Sequence, residues 1–189
     1  MRQGFEYAIH QFKECLFTDA PVVVKPSMQW SDDAWIKDQG NRNFIIHEGY
    51  WPLRQGRSEG TIVGGSYHSF ILLQGSDYFP PLADSMLFME SPSDGKVSLM
   101  SLDSALRSLS FQKGFERVRG IVIGRYSRDA RISPNNLQEI IDSNPAVPDI
   151  PIIANVDFGH TTPMMTFPIG GICKLDVSEN QVYMEFPVH

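Results

Sequence analysis

Two residues in this chain have the types and the setting for proton-transfer chemistry. Glu90 closes a run of bulky apolar residues, Met86-Leu87-Phe88-Met89. His160 follows a second apolar run, Ile150–Asn155, across a glycine-bearing loop that ends at Pro163. Each run predicts a buried strand, and α/β folds place their sites at the C-terminal ends of parallel strands. A carboxylate that accepts an imidazole N–H fixes the tautomer and balances the imidazolium that forms when the other nitrogen takes a proton. Both residues also have plainer readings. Glu90 reads as a solvated acid before Pro92, and His160 as a loop histidine bonded locally.

A nucleophile is harder to find. The chain has no Gly-x-Ser-x-Gly elbow, which would set a serine on a sharp strand-to-helix turn. Gly65-Ser66 follows a strand, but Tyr67-His68 is a bulky sequel for a strained elbow, so Ser66 is a weak nucleophile candidate. Asp157-Phe158-Gly159 matches a kinase metal-binding triplet without the His-Arg-Asp loop or the lysine strand that give it meaning. The Gly60–Gly65 run has the wrong spacing for a dinucleotide fingerprint. Asp157, His160 and His189 lack metal-ligand spacing, and no metal or other cofactor is expected. His10 and His47 read as structural. Trp30, Trp35 and Trp51 fall in one glycine- and Asp-rich region, where an indole either stacks on a flat ligand or packs against the domain.

The elements that position these residues follow from periodicity and punctuation. Residues 2–18 predict an amphipathic helix with Phe5, Ile9, Phe12 and Leu16 on one stripe. Val22–Lys25 predicts a short strand, and 27–43 a loop with a helical turn from Ser31. Asn43–Glu48, Gly49–Gln55 and Gly60–Val63 read as strands, with Gly64-Gly65 as a tight turn and Tyr67–Leu73 as a helix or strand after it. Met86–Glu90, Gly120–Gly124 and Ile150–Asn155 are strands of the buried parallel type. Helices are expected over Leu102–Lys113, capped by Ser101 or Asp103, and over Ser133–Ser143, with Pro134 in the first turn. Phe167–Ile169 reads as a strand, and Lys174–Val177 with Val182–Phe186 as a closing hairpin. The resulting class is α/β, with a mostly parallel core sheet from about 86 to 160 and a second, antiparallel sheet layer.

Composition bounds the partners. The chain has 189 residues, 42% hydrophobic and 20% charged, with 16 Lys+Arg against 22 Asp+Glu and a net charge of −6. That is ordinary globular composition, and an acidic chain without a basic run lacks the footprint of a nucleic-acid binder. The apolar runs are too short to span a bilayer, and no signal-peptide pattern opens the chain. Two cysteines, Cys15 and Cys173, are too few for a disulfide scaffold. A reduced, cytoplasmic protein is the expectation.

Certain motifs then form a pattern. The Gly60–Gly65 run, Leu87–Glu90 and Pro151–Pro163 occur in that order, followed by Thr166–Gly170. This resembles the C-terminal domain of the LD-carboxypeptidase and microcin C immunity (MccF-like) family of serine peptidases, from about residue 20 onward. The Trp30–Trp35 segment and Gly49-Tyr50-Trp51 look closer to the MccF-like branch. The resemblance implies a swivelling β/β/α domain in which Glu90 is the acid and His160 the base of a Ser-Glu-His triad. The serine of that triad belongs to an N-terminal domain absent from this chain. The resemblance also implies hydrolysis of an amide, either in a murein LD-peptide or in an aminoacyl-nucleotide of the microcin C type, with Trp30 or Trp35 stacking on the base. Where the family carries Gly-Gly-Asn this chain has Gly64-Gly65-Ser66, so Ser66 takes a substrate-contacting position with a different side chain.

These readings give residues 1–20 as a helix at the junction with the missing nucleophile domain and 21–189 as the peptidase-family domain. The expected role is half of a serine carboxypeptidase or amidase, inactive alone, with a homodimer as a further expectation. The alternative is a stand-alone domain that binds a nucleotide or peptide without catalysis.

Overall fold

The computed structural model describes residues 5–34, 36–38, 40–92, 96–179 and 181–188. Trp35, Asn180 and residues 2–4 of the first expected helix lie outside the described residues. In chain order the elements are α1 (Phe5–Phe17), β1 (Val22–Val24), β2 (Gln29–Trp30), β3 (Ile45–Ile46), β4 (Trp51–Arg54), β5 (Gly56–Ser66), α2 (Tyr67–Phe70) and β6 (Ser85–Glu90). They continue with α3 (Lys96–Ser110), β7 (Gly120–Arg125), α4 (Pro134–Asp142), β8 (Ile152–Gly159), β9 (Ile172–Val177) and β10 (Val182–Val188).

The continuous apolar runs behave as buried parallel strands must. β5, β6, β7 and β8 lie side by side and parallel at the centre of an eight-stranded sheet of order β1-β10-β9-β5-β6-β7-β8-β4. Along β6 the side chains alternate between two cores. Leu87 and Met89 join Leu102, Leu106, Leu137 and Ile141 of α3 and α4, while Met86 and Phe88 join Val156, Phe158 and Phe186 on the opposite face. The expected α/β class holds, with a parallel core and a separate small antiparallel sheet formed by β2 and β3. The strands flanking the core run antiparallel, and most of them extend the core sheet at its two edges.

Several local expectations change. The Gly64-Gly65 step is the end of β5 and not a turn. Both glycines have positive φ, +121° and +131°, and a Cβ on Gly64 would lie 2.1 Å from the Phe88 carbonyl oxygen. Gly64 therefore serves close strand approach, while Gly65 has open space around it and is called for by its backbone conformation alone. α3 begins before Ser101 and Asp103, which lie in its interior. Ser31 starts no helical turn but forms a two-way bridge with Thr162, each N–H donating to the other's carbonyl at 2.8 Å. Residues 167–169 form no strand; the chain resumes extended structure at Ile172. α4 follows its signals, with Ser133 and Asn136 forming a reciprocal capping box before Pro134.

The largest surprise is α1. Its apolar stripe, Phe5, Ile9, Phe12 and Leu16, stays exposed, and the helix turns Gln11 and Cys15 inwards instead. Cys15 packs in the core, and its thiol donates to the Thr166 carbonyl at 3.3 Å.

Candidate active site

Four parallel strands end along one edge of the sheet, and each presents a polar residue there. β5 ends at Ser66, β6 at Glu90, β7 at Arg125, and β8 at Gly159 just before His160. Ser66 stands directly opposite Glu90 in the parallel register, and Arg125 opposite Gly159. This is the carboxyl edge on which open α/β sheets build sites.

Glu90 and His160, separated by 70 positions in the chain, meet here. Glu90 Oε2 accepts from His160 Nδ1 at 2.8 Å. Glu90 is largely covered, with 12% of its side chain exposed, while His160 leaves 54% of its ring accessible. With Nδ1 carrying the proton, Nε2 keeps its lone pair free to act as a base. Two glycines make the room. A Cβ on Gly124 would lie 3.0 Å from the Glu90 Cβ, and one on Gly159 would lie 3.2 Å from Glu90 Oε2. The segment after Glu90 is pinned as well. The Ser91 hydroxyl donates to the Pro92 carbonyl at 2.9 Å, so it accepts from His68 Nε2, also at 2.9 Å.

His160 lines a cleft of about 680 Å³ together with Asp32, Asp33, Ser127, Arg128 and Asp129. Burial pushes the Asp32 carboxyl up, but the Arg128 guanidinium and backbone N–H outweigh it and hold Asp32 below the ordinary carboxylate value. Trp30 is buried in β2 and borders a smaller recess of about 160 Å³ shared with Trp51, Tyr126, Arg128 and Arg131. One face of its ring covers Arg125, whose guanidinium carbon lies 4.9 Å from the ring centroid. Ser66 precedes α2 with extended backbone and makes no side-chain cap bond to that helix.

Sequence reading missed the buried group behind this edge. The Asp157 carboxylate accepts from Arg125 Nη2 at 2.5 Å, from Ser27 Oγ at 2.6 Å, from the Ser27 N–H at 2.8 Å and from the Tyr50 hydroxyl at 3.3 Å. Burial, reinforced by Tyr7 and Asp157, pushes the Tyr50 phenol well above its ordinary value. His47 accepts from the Gly49 N–H through Nδ1 at 2.9 Å, so its Nε2–H donates to the Asn155 carbonyl at 3.3 Å. Burial and then the Arg125 guanidinium hold His47 below the ordinary imidazole value, against the pull of Asp157. The signal available in the sequence was two polar residues, Asn155 and Asp157, inside an otherwise apolar strand run.

Among the described residues, no group of three or more His, Cys, Asp and Glu side chains gathers as a metal site. No helix among the described residues is long and apolar enough to cross a membrane.

Residues 59–175 match the model of the LD-carboxypeptidase C-terminal domain. The chain is 40% identical over 185 residues to a Treponema pallidum (strain Nichols) protein named for carboxypeptidase activity, covering 98% of this chain and 54% of that protein. It is 37% identical over 176 residues to YocD of Bacillus subtilis (strain 168), also named as a carboxypeptidase, covering 93% of this chain and 54% of YocD. The crystal structure of an MccF-like protein from Bacillus anthracis superposes with a TM-score of 0.96 at 43% identity, covering 100% of this chain and 58% of that one. At 20% identity the likeness extends, as a fold, to the microcin C7 self-immunity protein MccF in complex with aspartyl sulfamoyl adenosine, with a TM-score of 0.76 and covering 96% of this chain and 55% of that one. The chain thus spans about half the length of the curated relatives it matches.

Proposed function

The chain belongs to the LD-carboxypeptidase C-terminal domain family, and from that premise we propose that it supplies the acid and base of a serine-type amide hydrolase. The observation that carries this reading is the 2.8 Å bond from His160 Nδ1 to Glu90 at the carboxyl edge of the parallel strands. In the reaction, His160 Nε2 takes the proton of a serine hydroxyl as its oxygen attacks the amide carbon. The base then returns that proton to the leaving amine as the C–N bond breaks. Glu90 holds the ring in the Nδ1–H tautomer and balances the charge of the imidazolium.

The serine comes from a second half of the protein, of the kind the longer relatives have room for. A base and its orienter have nothing to activate without it, so the 189-residue chain is inactive alone. The exposed apolar stripe of α1 supports a docking role for that helix at the junction with the nucleophile half. The substrate is an aminoacyl-nucleotide. The recess beside Trp30, with Arg128 and Arg131 on its wall, suits a base and its phosphate, and the MccF complex with aspartyl sulfamoyl adenosine supports the same class. Ser66, opposite Glu90, contacts the substrate end. A murein LD-peptide is the competing substrate. The two free, buried cysteines suit a reducing cytoplasm.

The test is a fusion in which this chain replaces the corresponding half of the Bacillus anthracis MccF-like protein. Hydrolysis of an aminoacyl-adenylate analogue is expected, with Glu90→Ala and His160→Ala each lowering kcat by about 10²–10⁴-fold. A folded fusion with no hydrolase activity, or one indifferent to both substitutions, overturns the reading. A second reading, a binding module without catalysis, draws on the completeness of the Trp30 recess within this chain. It gains if the inactive fusion and the lone chain both bind AMP.

A further inference from the structure

The backbone ladder that leads to the end of β8 is irregular over the residues just before His160, although Arg125 still pairs with Gly159. Between β7 and β8 the register shifts twice, between Val122 and Gly124 and again between Gly124 and Arg125. Within the same stretch Asn155 adopts a left-handed φ of +61°. Glu90 holds the exposed ring itself, but the loop that presents the ring to Glu90 leaves from an irregular strand.

A side-chain network takes over from the ladder. Arg125 Nε donates to Asn155 Oδ1 at 3.1 Å and Nη2 to Asp157 Oδ1 at 2.5 Å, so one guanidinium grips two β8 side chains. Asp157 in turn holds Ser27, while its carbonyl accepts the Met165 N–H at 2.6 Å. The loop that carries His160 therefore leaves from Asp157 and returns to it. Midway, Thr162 is bridged to Ser31, so the loop is zipped to the 27–31 segment at both of its ends. Trp30, in that segment, lies over Arg125.

We propose that Arg125 is a positioning residue for His160, acting through Asp157, and that it ties the Trp30 wall of the smaller recess to the base. The pair is fully buried. A buried ion pair is weak evidence for stability, since two well-packed apolar side chains serve equally well. What such a pair does supply is one fixed geometry, and the geometry fixed here is the root of the His160 loop. The catalytic meaning of the inference rests on the proposed hydrolase reading, but the placement of the ring does not.

The test therefore reads the ring first. In the 189-residue chain, nitrogen-edited NMR of the imidazoles should show a hydrogen-bonded Nδ1–H for His160 that Glu90→Ala abolishes. The double variant Arg125→Met/Asp157→Leu removes both charges together and is expected to stay folded while losing that signal. Arg125→Lys keeps a charge but not the fork, and its signal should be exchange-broadened; this variant decides the matter if the double variant fails to fold. In the fusion, Arg125→Lys should lower kcat about 10²-fold with KM little changed, the pattern of a misplaced base. An unchanged Nδ1–H signal in the folded variants overturns the proposal even if the fusion is an active hydrolase. An inactive fusion with the signal lost as expected leaves the positioning role standing and sinks the hydrolase reading alone.

Discussion

Glu90 occupies the space that a side chain on Gly159 would need. A Cβ there would lie 3.2 Å from Glu90 Oε2 and 3.4 Å from Glu90 Cβ, and Gly159 also holds a φ of +110°. The backbone conformation calls for glycine before the base, and the acid standing against it leaves little room for a side chain. Gly159→Ala is expected to cost about 1–3 kcal/mol in urea unfolding through backbone strain. It should also displace Glu90 and remove the hydrogen-bonded Nδ1–H signal of His160 from the folded chain. Retention of that signal would mean that Glu90 tolerates the crowding.

Acid should destabilise the chain in two separate windows. His47 is held below its ordinary value of 6.5, so below that pH the unfolded chain binds a proton that the folded chain resists. Stability therefore falls as pH drops through and below about 6.5. Asp32 and Asp84 are held below 3.8, so their contribution is lost only as pH falls through and below that value. Thermal unfolding of His47→Gln should show a shallower slope in the upper window and the same slope in the lower one. An unaltered upper slope assigns that window to another group.

The outward stripe of α1 should matter to association and not to folding. Phe12 and Leu16 are exposed, so Phe12→Ser/Leu16→Ser should change unfolding free energy by no more than about 0.5 kcal/mol. Light scattering across a dilution series should show self-association of the unsubstituted chain through this apolar stripe that the double variant lacks. A strict monomer at every concentration removes this surface as an adhesive one.

Trp30 should carry nucleotide binding by stacking. Calorimetric titration of AMP into the chain is expected to weaken about tenfold or more in Trp30→Ala, while Trp30→Phe retains most of the affinity. Equal affinities in all three would assign the indole to packing over Arg125 alone.

Much of the site's scaffold was legible because it rests on local chemistry. The runs Met86–Met89, Gly120–Gly124 and Ile150–Asn155 are apolar on both faces, which only a strand covered on both sides tolerates. Ser133 and Pro134 signal the start of a helix through bonds within one turn. That Glu90 and His160 end two such strands follows from position in the chain. Their pairing does not, since it depends on β6 and β8 flanking β7 and on glycines at 124 and 159 leaving the space between.

The errors share one cause. The Gly64-Gly65 pair reads as a turn because glycine's freedom is visible in a sequence and the Phe88 carbonyl that crowds Gly64 is not. The apolar stripe of α1 reads as a buried face because periodicity reveals amphipathicity without revealing which face meets the domain. Asp157 looks like a stray acid in a strand until Arg125, Ser27 and Tyr50 surround it from three distant parts of the chain. Side-chain type and spacing are enough to say which residues can form strands, helices and a proton-transfer pair. Which of them touch is a matter of sheet order and packing, since the partners lie 30 to 130 positions apart in the chain.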